Sequence, residues 1–137
     1  LPMAAAEDKV TVRMNTCIVF SDLRDREAVE ARLDELLEEK GYSFKVEIVP
    51  FDYGNYGNLV KLAVADGSVD LFNMFGAMSL AAGADSEAIA CLDDLLEEYG
   101  KETRELISPY ISTVMVDGKV YGTPAIKSIS KRNCFRL

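Results

Sequence analysis

The sequence predicts an α/β fold, a mostly parallel sheet flanked by helices. Three observations carry that expectation. Short apolar or alternating stretches begin at Val10, Phe44 and Val69, each of strand length. Between them, apolar residues recur at helical spacing after Asp25 and again after Asn55. Strand–helix–strand alternation is what a parallel sheet requires, because each crossover must carry the chain back along a face of the sheet. At 137 residues, 49% apolar and 28% charged, the chain has the size and composition of one globular domain with a core of its own.

Val10-Thr-Val-Arg-Met-Asn15 alternates apolar and polar residues, as a strand with one better protected face does. A polar stretch with Ser21, Asp22 and Asp25 follows. Val29, Leu33, Leu36 and Leu37 then share one side of a helix, with Glu27, Glu30, Arg32, Glu35 and Glu38 on the other. Asp25 suits its N-cap and Gly41 the position just past its end. The acidic side reads as a solvated face, or as a surface for a protein partner.

Phe44, Val46 and Ile48 alternate with Ser43, Lys45 and Glu47, and Pro50 closes the run: a strand near a sheet edge. FDYGNYGN is turn-rich, with Tyr53 and Tyr56 flanking a turn. Tyr56, Leu59, Val60, Ala63 and Val64 fall on one face of a second helix, which ends at Asp66-Gly67. Val69 to Phe75 is almost continuously apolar and predicts a strand buried on both faces. Met78 to Glu87 holds a helix weakened by Gly83, and Asp93 to Gly100 a short one with Leu92 as a hydrophobic staple. Another covers Glu102 to Ile107 and stops before Pro109. VMVDGKVYGTPAI, from Val114 to Ile126, folds two apolar arms around an Asp-Gly turn. Asn133-Cys-Phe-Arg-Leu137 begins like one more strand.

Charge and composition exclude several functions. A net charge of −8, from 15 basic and 23 acidic residues, repels phosphate backbones and anionic membrane surfaces. No apolar run approaches the roughly 20 residues that cross a bilayer. The absence of histidine removes the commonest general base, and no P-loop, G-x-G-x-x-G or G-x-S-x-G motif is present. Asp93-Asp94 and Glu97-Glu98 sit where a helix N-terminus and a solvated face account for them. Cys17, Cys91 and Cys134 form no CxxC pair and read as small buried hydrophobes, so neither a metal nor a dithiol site is implied.

In an open parallel sheet, ligands bind beyond the carboxyl ends of the strands, where loops diverge. That rule selects Asn15, Thr16, Phe20, Ser21 and Asp22 after the first strand. It also selects Asn73, Met74, Phe75 and Gly76 after the third, and Pro124, Ala125, Ile126 and Lys127 after the hairpin. The set mixes amides, hydroxyls and aromatic faces, as recognition of a neutral polar ligand requires. Each residue has a structural alternative: Met74 and Phe75 as core, Asn15 and Asp22 as anchors of loop backbone, Tyr56 as helix packing, Lys127 as ordinary surface.

The order of PFDYGNY, NLVKLAVADGS, DLFNMFG, LDDLLEEYG and VDGKVYGTPAIK resembles the N-terminal lobe of extracellular solute-binding proteins of ABC-type importers. The lipoprotein type of Gram-positive bacteria is the nearest likeness, and the resemblance runs through essentially the whole chain. It implies a type II periplasmic-binding-protein-like lobe over residues 10–126, after a disordered or processed stub at 1–9. Residues 127–137 would then start the crossover to a second lobe, making this chain a fragment. It further implies reversible capture of a small polar solute, a sugar or peptide, for delivery to ABC permease subunits, without catalysis, cofactor or metal. The full-length form would be extracellular and held at the cell surface by a lipid anchor. Asn15, Phe20, Ser21, Asp22, Asn73, Phe75, Ile126 and Lys127 are the expected ligand contacts. Oligosaccharide is the expected cargo, although the chain has no Trp to stack on a sugar ring. A transferase-like enzyme on a similar two-lobed scaffold, and an interaction module using the acidic helix, are the alternatives.

Overall fold

The first two strands pair in parallel, β1 (Val10–Ile18) with β2 (Phe44–Asp52), in register from Val10↔Phe44 to Ile18↔Asp52. The structure, a computed structural model, describes residues 9–18 and 23–125. It divides into two compact units, Leu1–Ser79 and Leu80–Leu137.

In the first unit, α1 (Arg26–Glu39) makes the crossover between the two strands. Gly41, at φ 81°, ends it as expected: the Gly41 N–H bonds the Glu38 carbonyl and the Tyr42 N–H bonds the Leu37 carbonyl, both at 2.9 Å. This is the pair of reverse bonds of a Schellman cap. The helix start differs from expectation. Asp25 stands at the cap position but in the left-handed region, at φ 60°, and its side chain caps nothing.

The acidic side of α1 is not simply solvated either. Glu30 accepts a 2.7 Å hydrogen bond from the Ile48 N–H, and Asp34 a 3.2 Å bond from the Val46 N–H. Glu30 and Asp34 are four residues apart and so lie one above the other, while Val46 and Ile48 present their amides to the same side of β2. Pro50, two residues further along, needs no such partner. It therefore lies inside β2 rather than closing it, where an edge strand tolerates proline.

A 3-10 turn (Tyr53–Asn55) leads into α2 (Tyr56–Ala65), whose Tyr56, Val60 and Ala63 are buried, as the spacing predicts. Tyr56, Val60 and Ala77 form a core with Cys17, Phe51, Val64 and Phe72 packed against it. Burying side chains such as Val60 contributes about 1.5–3 kcal/mol each.

The expected third strand is reduced to one parallel bridge, Met14↔Leu71. Its backbone still lies along β1, with Asn15 N–H to Leu71 O at 2.7 Å and Leu71 N–H to Arg13 O at 3.0 Å. It is not buried on both faces: Leu71 is 53% and Phe75 57% exposed. Only Val69 is buried, with Phe72 and Met74 half-buried. A fork of hydrogen bonds from the Arg13 guanidinium to the Asp70 carboxylate, both at 3.0 Å, fastens this segment to β1.

The second unit holds α3 (Leu80–Asp85), α4 (Asp93–Glu98) and α5 (Lys101–Ile107). A 3-10 stretch through Pro109 then reaches the hairpin β3 (Met115–Val116) and β4 (Lys119–Val120). Its turn residues Asp117 and Gly118 both have positive φ, 49° and 81°, the type I′ geometry that matches strand twist. Leu96, Ile107 and Val120 form the core, with Leu92, Ile111 and Val114 around it. Asp93 accepts from the Val120 N–H at 3.1 Å and from the Cys91 thiol at 3.3 Å, so it ties the hairpin instead of capping α4. Cys17 is half-buried as a small hydrophobe, whereas Cys91 is exposed; Cys134 and the segment Asn133–Leu137 lie outside the described residues.

Candidate ligand-binding rim

At the carboxyl end of the sheet in the first unit, one buried side chain organises the surrounding loops. Asn15 is 7% exposed and lies within β1, which continues to Ile18 rather than ending at Asn15. Its Nδ2 donates to the Val49 carbonyl at 2.9 Å, so its Oδ1 is the acceptor, and the Tyr56 hydroxyl donates to it. The same hydroxyl lies 3.1 Å from the Asn73 carbonyl oxygen. Burial pushes the Tyr56 phenol above its ordinary value, which keeps it a neutral donor. Asn15 thus joins β1, β2, α2 and the loop after the third segment.

That loop is held at two further points. The Asn73 side chain accepts from the Phe75 N–H at 2.9 Å, a local turn closed by an amide. Gly76, at φ 66°, brings its carbonyl so close to Gly57 that a Cβ on Gly57 would lie 2.0 Å from that oxygen. Glycine is required there by close approach. Asn73 and Phe75 are both exposed, and the Phe75 ring stacks on Tyr53, with centroids 5.7 Å apart and planes at 24°. Phe75 is therefore not core. Tyr53, the first residue after β2, is the member of this group that sequence reasoning passed over as a turn residue; its place directly beyond a strand end was the available signal.

In the same unit, the ends of β1 and β2 and the start of α1 border a hollow lined by Ile18, Leu23, Asp25, Arg26 and Pro50 among others. Phe20, Ser21 and Asp22, expected to face such a space, lie outside the described residues, as do Ile126 and Lys127. Thr16 is half-buried in β1 and Met74 half-buried. In the second unit, Pro124 is half-buried and Ala125 exposed. Among the described residues no three His, Cys, Asp or Glu side chains gather as metal ligands. No helix among them is long and apolar enough to cross a membrane.

No protein-family model and no curated protein sequence matches the chain. Solved structures do. An N-glycan transport solute binding protein (NgtS) of Streptococcus pneumoniae, in complex with Man1GlcNAc, matches over 85% of this chain at 24% identity and a TM-score of 0.70. The same protein in complex with Man5GlcNAc matches at 25% identity and a TM-score of 0.70, again over 85%. A third structure of it gives a TM-score of 0.67 over 82% of this chain. The matches cover 24–25% of those chains, so this chain spans about a quarter of the length of the protein it resembles. A parallel sheet flanked by helices, together with these likenesses, gives the fold as α/β and periplasmic-binding-protein-like, shared with a solute-binding protein of a transport system.

Proposed function

We propose that this chain is part of the substrate-binding component of an ABC-type importer, which captures a neutral oligosaccharide outside the cell and passes it to permease subunits. The observation that supports it most is the fold likeness to an N-glycan transport solute binding protein, with a TM-score of 0.70 over 85% of the chain. In that reading residues 10–126 form the N-terminal lobe and 127–137 begin the crossover to a second one. Ligand lies against the strand-end rim. The ligand contacts proposed for it are Asn15, Phe20, Ser21, Asp22, Asn73, Phe75, Ile126 and Lys127. Affinity comes from closure of two lobes on the solute, not from bond making. The role is therefore not enzymatic, and the longer protein works extracellularly, held at the surface by a lipid anchor.

The test is calorimetric titration and thermal shift of the full-length protein with Man1GlcNAc, Man5GlcNAc and a neutral tripeptide. Saturable binding of a sugar, with a midpoint that rises with sugar concentration and no change in the sugar itself, is expected. Binding of the tripeptide alone, no binding at all, or turnover of a sugar overturns the proposal. Residues 1–137 alone should bind more weakly than the longer protein, because a one-sided cleft supplies fewer contacts.

A further inference from the structure

We infer that Tyr53 and Phe75 together form the ring-stacking platform that selects a pyranose over other neutral polar solutes; this rests on the reading of the rim as a solute-binding surface. Three ring pairs occur among the described residues. Phe51–Tyr56 is edge-on at 63°, and Tyr56 is buried at 2%. Tyr42–Phe44 is tilted at 53° and lies at the amino end of β2. Only Tyr53–Phe75 is near parallel, at 24°, and it stands at the carboxyl end with both rings about half exposed, 51% and 57%.

Single exposed aromatics need no explanation. Here, however, the loop carrying Phe75 is fixed by the Tyr56 hydroxyl at Asn73, by the Asn73 side chain at the Phe75 N–H, and by the contact of Gly76 with Gly57. An apolar ring held out toward solvent on a pinned loop is pre-ordered for a ligand, which lowers the entropic cost of binding. The chemistry of the ligand follows from the surface. An aromatic face is negative and attracts weakly positive C–H groups, and a pyranose presents several of these on one side of its ring. The Tyr53 hydroxyl can in addition exchange hydrogen bonds with a sugar hydroxyl at the edge. An extended peptide backbone offers no continuous C–H face of that size.

The experiment uses Tyr53→Leu, Phe75→Leu and Phe75→Trp in the full-length protein, titrated with Man1GlcNAc and Man5GlcNAc. The leucine variants keep apolar volume and remove the π face. Each should raise Kd about tenfold, the size of one stacking contact, and leave the thermal midpoint of the ligand-free protein unchanged. Phe75→Trp should retain binding, and its indole emission should shift on sugar addition. If wild type binds sugar but the leucine variants bind as tightly, the platform is wrong and the transport reading survives. Should wild type bind neither sugar, both fall together. A fall of several degrees in the ligand-free midpoint of the leucine variants also overturns the platform, because the rings would then be serving packing. So does an indole emission that ignores bound sugar.

Discussion

In the first unit, polar groups reach inside to fix the loops, whereas the second unit closes on an apolar core with its polar tie at the margin. Asn15 and Tyr56, 7% and 2% exposed, bind each other and then hold the Asn73 carbonyl at the strand-end loop. Among the described residues, Leu96, Ile107 and Val120 pack without any such pair, and Asp93 fastens the hairpin through the Val120 N–H. The contrast tracks the job of each backbone. An apolar core tolerates small adjustments of its side chains, but a buried hydrogen bond holds atoms to a narrow geometry and is costly to leave unmade. Geometry is controlled most tightly where the candidate rim begins.

Gly57→Ala should do the most damage to that arrangement. Its Cβ would meet the Gly76 carbonyl at 2.0 Å, backbone that cannot swing aside, and a loss of about 3 kcal/mol in denaturant unfolding is expected. Stability within 0.5 kcal/mol of wild type would show that the loop is not pinned there. Tyr56→Phe comes next. It deprives the Asn15 carboxamide of its donor, and a buried acceptor left without one costs about 2 kcal/mol. A neutral result would remove the distinction between the units. In the second unit, Asp93→Ala should cost only about 1 kcal/mol, since the Val120 amide loses one bond near the surface. Gly118→Ala should cost about the same or slightly less, from forcing a side chain into φ 81°.

The smallest effect is expected from pH. Hydrogen bonds from the Arg13 side chain, then from its backbone N–H, hold the Asp70 carboxyl below its ordinary value of 3.8. A depressed folded value means that the carboxylate's contribution is complete above the unfolded value and is lost as pH falls through the folded one. Wild type should therefore melt slightly above Asp70→Asn at neutral pH, with the gap closing below the ordinary carboxylate range. A gap that persists in acid would show that the fork between Asp70 and Arg13 does not fasten the third segment.

Much of this was legible in the sequence because it is local. The Tyr56–Val60–Ala63 stripe, Gly41 at a helix end and the Asp117-Gly118 turn each follow from residues a few positions apart. What was not legible depends on distant partners. An apolar run such as Val69–Phe75 cannot say whether both its faces are covered, and in the structure Leu71 and Phe75 are exposed. Asn15 looks like a loop polar group until Tyr56, 41 residues away, takes its oxygen. Tyr53 meets Phe75 only once two loops converge. Asp25 failed as a cap because its backbone turned left-handed, a choice no propensity at that position dictates. The strand-end rule selected Asn73 and Phe75, which the structure shows exposed, together with Asn15, which is buried and supports them from within.

The carboxylates of Glu30 and Asp34 have a further consequence. By occupying the outward amides of Ile48 and Val46, they leave an intruding chain with no free donors at those two positions of β2. A stray molecule cannot zip onto that border and seed a fibril without first displacing a helix's own side chains.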